Sequence, residues 1–186
     1  NSLTDITFSN VSAEMDTEYL FLQYNNIQKL ADDSLEYFIF LKVLHLEHNK
    51  LKTIPKDLLM HCHFISEIYL NDNLLTDLNF LGSIGTINLL FLHNNNFSEI
   101  PNATLTEIGN FDYLTMLTMR GNPWNCKCEA ISFKQWLLNN SQVVTDIDLI
   151  KCNGTTLIKI PDDKLPCVKH NVEKEYVTIV SVVSSA

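Results

Sequence analysis

The sequence predicts an α/β solenoid, a horseshoe-shaped coil of repeated turns with a parallel β-sheet on its concave side. Asparagines recur at nearly regular intervals, at Asn1, Asn25, Asn49, Asn73, Asn95 and Asn122. Apolar residues occupy the same offsets before and after most of these asparagines, as between Leu41 and Leu51. Four cysteines follow the last asparagine. A fixed period of about 20 to 50 residues is typical of repeat architectures, whose turns stack around one continuous core.

Each turn is predicted to begin with a short strand, in which successive side chains point to opposite faces. The inward-facing residues of four turns are expected to form the core: Leu20, Leu22, Leu44, Leu46, Ile68, Leu70, Leu90 and Leu92. An asparagine follows where the strand ends, and its amide can both donate to and accept from backbone groups of neighbouring turns. We therefore interpret the recurring asparagines as structural and assign them no ligand.

The outward-facing strand positions form the candidate binding surface. Their middle column contains Phe21, His45, Tyr69, Phe91 and Thr118, spaced by one strand, about 4.8 Å. A structural role is one interpretation, because aromatic residues favour strands and pair across them. A binding role is the other, because apolar rings rimmed by charges resemble a protein interface. The candidate ligand-binding residues are then Tyr19, Phe21, His45, Glu47, Tyr69, Phe91, His93 and Arg120.

Cysteines are concentrated after the repeats, at Cys126, Cys128, Cys152 and Cys167. A zinc site would normally have paired Cys-x-x-Cys spacing, from which this pattern departs, so disulfides are favoured and three pairings are open. Cys62, between His61 and His63, invites a metal hypothesis. A free cysteine also packs as a small hydrophobe, so we favour a core role for Cys62 and predict no metal and no cofactor.

Composition limits the function. The 186 residues are 46% hydrophobic, and their net charge of −9 argues against the basic surface that nucleic-acid binding requires, so no nucleic-acid partner is predicted. Five Asn-x-Ser/Thr sequons are predicted glycosylation sites of an extracellular protein. They begin at Asn10, Asn96, Asn102, Asn139 and Asn153.

The stretch Asn-Pro-Trp-Asn-Cys-Lys-Cys-Glu at 122–129, together with Trp136 and the period of the repeat, carries a family resemblance. It resembles extracellular leucine-rich repeat proteins with a cysteine-rich C-terminal cap, most of all the membrane-proximal ectodomain of Toll-like receptors. Adhesion proteins and the antigen receptors of jawless vertebrates share this cap. The resemblance implies disulfides that pair Cys126 with Cys152 and Cys128 with Cys167, and ligand-driven dimerisation that brings the caps together.

Three segments are expected: repeats over 1–121 in about five turns, the cap over 122–169, and a juxtamembrane stalk or tail over 170–186. Residues 1–6 match residues 25–30, so the first turn is expected to be truncated, although residues 1–16 could form an unusual cysteine-free cap. The apolar residues 176–183 are too few to cross a bilayer. They are interpreted as the start of a single-pass membrane anchor continuing beyond Ala186, with a docking segment or a disordered tail as alternatives.

Two function classes remain open. One is the ectodomain of a Toll-like signalling receptor that binds a protein or microbial ligand and forms a homodimer through its cap. The other is a cell-adhesion or secreted antigen-recognition protein without signalling output. An enzyme is least favoured, because no nucleophile with an oriented base accompanies His45, Glu47 and His93. We expect the chain at the extracellular face of the cell membrane, or secreted.

Overall fold

A computed structural model describes residues 5–6 and 16–166 of the chain. The strands of these residues are β1 Asp5–Ile6, β2 Tyr19–Phe21, β3 Lys29–Leu30, β4 Val43–His45, β5 Glu67–Tyr69, β6 Leu89–Phe91, β7 Met116–Thr118, β8 Lys151–Cys152 and β9 Thr155–Thr156. Five of them form one parallel sheet in the order β2, β4, β5, β6 and β7. The predicted solenoid, with one strand per turn and a disulfide-bonded C-terminal region, is therefore confirmed.

The register of the sheet follows the repeat in the sequence. Leu44 pairs with Leu20 on one side and with Ile68 on the other, and Leu90 pairs with Ile68 and Leu117. The middle residue of each strand points into the core, where all of these except the partly buried Leu20 are almost completely shielded from solvent. Since the core is continuous from turn to turn, no turn is an independent folding unit.

A second parallel pair lies between β1 and β3. Asp5 pairs with Lys29 and Ile6 pairs with Leu30. This is the same alignment by which the sequence matches residues 1–6 to residues 25–30. The repeat register therefore already holds at Asp5, while Asn1 and the sequon at Asn10 lie outside the described residues.

The recurring asparagines Asn25, Asn49, Asn73, Asn95 and Asn122, which we call the asparagine ladder, have the structural role predicted for them. The side-chain amide of Asn73 donates to the carbonyls of Leu46 in the preceding turn and of Leu70 in its own turn, at 2.9 and 3.2 Å. Its Oδ1 accepts from the backbone N–H of Leu51 at 3.0 Å. Asn49 and Asn95 make the equivalent contacts. Each buried asparagine thus satisfies backbone groups of two turns that would otherwise lack partners.

The segments that return from one strand to the next vary more than the strands. One contains a short 3₁₀ turn, Asn79–Ser83, and the following one contains helix α1, Asn102–Gly109. Helix α1 follows Pro101, whose fixed φ suits a helix start, and it buries Leu105 and Ile108, which lie three residues apart on one face.

Cys62 lies in one of these returning segments and is buried in the core, with a free thiol. Burial raises the pKa of this thiol to about 12, so it is protonated at neutral pH. His61 and His63 are both exposed, and no group of three potential metal ligands occurs among the described residues. The contacts of Cys62 are those of a small apolar residue filling the core.

The C-terminal cap contains helix α2, Glu129–Asn139, and the antiparallel pair of β8 and β9. Helix α2 buries Ala130, Phe133 and Leu137. A disulfide joins Cys126 to Cys152, with the Cα atoms 5.5 Å apart. Cys128 is disulfide-bonded as well, but its predicted partner, Cys167, lies outside the described residues, as does the stretch 170–186.

The cap also closes the last edge of the sheet. Leu117 in β7 donates to the carbonyl of Val143 at 2.8 Å, and Thr145 donates back to Leu117 at 3.1 Å. The buried carboxylate of Asp146 then accepts from the backbone N–H groups of Met119 and Arg120, at 2.9 and 2.8 Å. The edge of β7 is therefore paired rather than open to another chain.

Candidate functional site: the concave face

Four rings stack across the concave face of the sheet, and we call them the ring column: Phe21, His45, Tyr69 and Phe91. Each is the last residue of its strand, so the parallel register places the rings directly side by side. Successive centroids are 5.0, 4.2 and 4.7 Å apart, with interplanar angles of 19°, 11° and 9°. These distances match the predicted strand spacing. The column presents ring edges to solvent, because most ring faces are covered by neighbours.

Exposure is uneven along this face. Tyr19 and Phe21 are 55% and 61% exposed, and their rings lie 6.5 Å apart. Tyr69 and Phe91 are only partly exposed. Thr118, the last residue of the predicted middle column, is buried, and so is Val43 at the start of β4. The strongly exposed aromatic surface is thus concentrated at the β2 end.

Two glutamates lie on opposite sides of the ring column. Glu67 starts β5 and accepts a hydrogen bond from the hydroxyl of Tyr69 at 2.9 Å. Burial and the Glu67 carboxylate raise the pKa of Tyr69 to about 12, so the hydroxyl remains a donor at physiological pH. Glu47 follows β4, and its carboxylate is 3.0 Å from Nδ1 of His45. Both carboxylates are therefore oriented by a ring of the column.

His93 and Arg120, the remaining predicted site residues, lie at the far end of the face. Nδ1 of His93 is 2.8 Å from the hydroxyl oxygen of Thr118. Burial, and then the positive charge of Arg120, lower the pKa of His93, which keeps this imidazole neutral at physiological pH. The structure thus brings the predicted residues onto one face, with the acidic groups near its middle and Arg120 at its end.

A second column of residues, the left-handed column, lies beside this face and was not predicted from the sequence. The residue immediately before each ladder asparagine has a left-handed backbone, with φ between +54° and +57° at Tyr24, His48, Asp72 and Asn94 and +70° at Gly121. Four of the five carry a side chain in a conformation that favours glycine or asparagine. The presence of Asp72, Asn94 and Gly121 at this offset is the signal that could have revealed it.

Side-chain contacts run along this left-handed column. The rings of Tyr24 and His48 stack at 4.4 Å, and Nε2 of His48 lies 3.7 Å from Asp72. Asn71 and Asn94 donate to the carboxylate of Asp72 at 2.7 and 2.9 Å. Burial opposes ionisation of Asp72, but these hydrogen bonds and the nearby histidines outweigh it and lower its pKa. Asp72 is thus held as a carboxylate.

The sequon asparagines within the described residues lie outside the strands of the five-stranded sheet. Asn96 follows a ladder asparagine, Asn102 starts α1, Asn139 ends α2, and Asn153 lies between β8 and β9. Glycans at these positions would leave the ring column accessible. A cleft of about 300 Å³ between the last repeat and the cap, lined by Ile100, Pro101, Phe133 and neighbouring polar residues, contains none of the predicted ligand-binding residues.

Comparison with known proteins agrees with this geometry. The profile of the Leucine rich repeat family matches residues 17–75, which include β2, β4 and β5. The chain contains a leucine-rich repeat domain. Such domains are typically binding modules without catalytic activity, which agrees with a face that carries rings and carboxylates.

Two curated relatives extend the comparison. The chain is 30% identical over 83 residues to mouse SLIT and NTRK-like protein 4, covering 44% of this chain and 9% of that protein. It is 31% identical over 58 residues to human SLIT and NTRK-like protein 6, covering 30% of this chain and 7% of that protein. The chain thus spans less than a tenth of the length of either relative. Neither is a Toll-like receptor, so they lend no support to that finer resemblance.

The C-terminal disulfide indicates an oxidising compartment, such as the extracellular space. Across the described residues, no helix combines the length and apolar character that crossing a bilayer demands.

Proposed function

We propose that this leucine-rich repeat domain is an extracellular protein-recognition module that binds its partner with the concave face. The observation that carries the proposal is the ring column with its exposed end at Tyr19 and Phe21. Exposed aromatic side chains supply large contact area at low cost in conformational entropy, and they are enriched among the residues that dominate interface energetics. The four sequon asparagines outside the five-stranded sheet support it too, because glycans there would leave this face open.

A cell-surface receptor is the setting we propose for this module. In its finer form the receptor is Toll-like: a protein or microbial ligand brings two caps together, which pairs the signalling domains behind them. The motif at 122–129 supports this form. The alternative is a cell-adhesion or secreted recognition protein without signalling output, because such proteins share the cysteine-rich cap and neither relative named above is a Toll-like receptor. A Toll/interleukin-receptor domain encoded after Ala186 would decide for the first form.

The binding surface is tested by replacing Phe21 with alanine. We expect Phe21→Ala to weaken binding by about 1–3 kcal/mol, the usual range for an interface anchor. Because the Phe21 ring is 61% exposed, its removal should leave the melting temperature nearly unchanged. Phe21 is a better choice than Phe91, whose ring is partly buried against Tyr69. The 186-residue chain and its variant would be screened against an array of single recombinant extracellular proteins, with affinities measured by biolayer interferometry.

The matched control is Phe64→Ala. Phe64 is 54% exposed and stacks on Phe40 at 6.0 Å, but it precedes β5 by three residues and does not belong to the ring column. Partners that lose affinity with Phe21→Ala and keep it with Phe64→Ala support the proposal. Partners that respond only to Phe64→Ala would place the binding surface elsewhere. Sedimentation of the domain with a bound partner tests the homodimer, which predicts a 2:2 complex.

A further inference from the structure

Glu47 and Glu67 have no lysine or arginine partner among the described residues; the ion-pair partner of Glu47 is the imidazole of His45, 3.0 Å away. Within those residues, lysines form ion pairs with other carboxylates: Lys42 with Glu18, Lys134 with Asp162 and Lys159 with Asp148. Glu67 accepts from the Tyr69 hydroxyl, and Glu47 faces the His45 imidazole. The Glu47 side chain is 15% exposed, so much of its hydration has already been lost. A carboxylate in this state gains strongly from a charge-assisted hydrogen bond supplied by a partner.

The two carboxylates are held in place rather than free to move. Tyr69 and His45, which orient them, stack on each other at 4.2 Å in the middle of the ring column. The backbone N–H of His48 donates to the carbonyl of Asn71, which extends the register of β4 with β5 beyond the two strands. Glu47 therefore lies beside Asn71. The backbone positions of Glu67 and Glu47 are therefore four strand positions apart, roughly 13 Å along the strand direction. Their carboxylates approach the His45–Tyr69 ring pair from opposite sides.

The charge of the surroundings favours the same kind of partner. Between residues 16 and 121 the chain has 13 acidic and 6 basic residues. Arg120 is the only lysine or arginine among the outward residues of the five-stranded sheet and the two residues that follow each of its strands. It follows β7, which lies three strands away from β4. A partner of matching negative charge would be repelled, and a purely apolar partner would bury Glu47 and Glu67 without repaying their lost hydration.

We propose that the partner of the concave face is a protein segment that presents two basic side chains, arginine or lysine, one to Glu47 and one to Glu67. This inference rests on the proposed function and specifies the chemistry of its partner. The basic groups bind on either side of the His45–Tyr69 ring pair, and the apolar part of the segment covers Phe21 and Tyr19. In an extended segment, residues four positions apart have the same backbone separation as Glu67 and Glu47, roughly 13 Å.

The test uses a phage-displayed library of short random peptides, selected on the immobilised full chain. Binders are then measured against Glu47→Gln/Glu67→Gln, which keeps side-chain size and removes both charges. The control is Glu99→Gln/Glu107→Gln, which removes the same charge from two exposed residues outside the sheet. We expect selected peptides to contain two basic residues about four positions apart, to lose at least tenfold in affinity to the first variant, and to stay within twofold for the control.

Three results would overturn the inference. Selected peptides could lack basic residues, they could bind both double variants equally, or the selection could return no binder. Phe21→Ala separates this inference from the proposed function. Peptides that respond to Phe21→Ala and not to Glu47→Gln/Glu67→Gln preserve the concave face as the binding surface and reject the basic partner. Peptides that respond to neither variant reject both.

Discussion

The repeats and the cap satisfy the same backbone requirement with different side chains. Inside the coil, Asn73 donates to carbonyls of two turns and accepts from an N–H of the preceding turn. At the end of the coil, Asp146 only accepts, from the N–H groups of Met119 and Arg120. An amide has donors and an acceptor, whereas a carboxylate is an acceptor alone. An internal turn therefore needs a side chain that both donates and accepts hydrogen bonds, whereas the end of the coil needs one that only accepts them.

The two regions also differ in how they are held together. The repeats depend on a continuous apolar core that begins at Leu22 and continues into the cap as far as Leu165. The cap adds a covalent bond between Cys126 and Cys152, and it packs Trp124 against Phe97 and Phe133 at 6.4 and 4.6 Å. A terminal segment has only one neighbouring turn against which to bury its apolar residues, so it gains more from a cross-link than an internal turn would.

The largest expected effect comes from removing this cross-link. Cys126→Ala/Cys152→Ala opens a disulfide with a sequence separation of 26 residues. We expect it to lower the free energy of unfolding by about 3.5 kcal/mol, from the chain entropy that the bond removes from the unfolded state. Urea unfolding followed by circular dichroism measures this loss.

Cys62→Ala is the control for the disulfide, since it removes a cysteine from the repeat core without breaking a bond. A loss below about 1 kcal/mol in the cysteine pair variant would show that packing around Trp124 holds the cap without help from this disulfide.

A smaller effect is expected from the ladder. Asn73→Ala leaves the buried N–H of Leu51 without an acceptor and takes the amide donor from Leu46 and Leu70. We expect a cost of about 2–3 kcal/mol, because an unsatisfied buried donor alone costs about 1–3 kcal/mol. Thermal unfolding of the variant, compared with the wild type at equal concentration, measures the difference.

Asn25→Ala is the matched comparison for the ladder, because Oδ1 of Asn25 has no partner among the described residues. Its amide still donates to Leu22 and Gln23, so we expect a loss of about 1 kcal/mol. Equal losses at Asn25 and Asn73 would mean that the acceptor half of the ladder contributes nothing.

The smallest effect lies at the junction of the two regions. Gly121→Ala places a Cβ at φ +70°, where it would collide with Oδ1 of Asn94. We expect a cost of about 1–2 kcal/mol from backbone strain and this contact. Adding Asn94→Ala should recover the part due to the contact, which a double-mutant cycle of melting temperatures resolves. No recovery would assign the whole cost to the backbone.

The sequence predicted more of the fold than of the candidate site. The repeat offsets of Leu44, Ile68 and Leu90 were enough to predict the strands and their register, because side-chain alternation in a strand leaves only one face for the core. The recurrence of asparagine was enough to predict its bridging role. Asp146 could not be predicted, since it departs from the asparagine pattern and acts across the cap. The left-handed column was missed because Tyr24 and His48 give no sign of positive φ.

For the candidate site, the sequence identified which residues face outward but not which of them are accessible. Val43 and Thr118 alternate correctly and are nevertheless buried by their neighbours. Conversely, the sequence predicted only that charges rim the rings, whereas the structure shows Glu47 and Glu67 each oriented by a ring of the column. Exposure and orientation depend on side chains from adjacent strands, and those belong to different turns that are distant along the chain.

The sequence by itself determined the coil, its repeat, the core positions and the concentration of cysteines in the cap, because these follow from periodicity and residue chemistry along one chain. Only the tertiary structure decided that Phe21 and Tyr19 are the exposed end of the ring column and that the coil ends on the carboxylate of Asp146. It also decided that Glu47 and Glu67 have no lysine or arginine partner within the described part of the chain and are instead oriented by His45 and Tyr69. The physical reason is that burial and ion pairing are properties of neighbouring turns, which a parallel sheet brings to about 4.8 Å of one another.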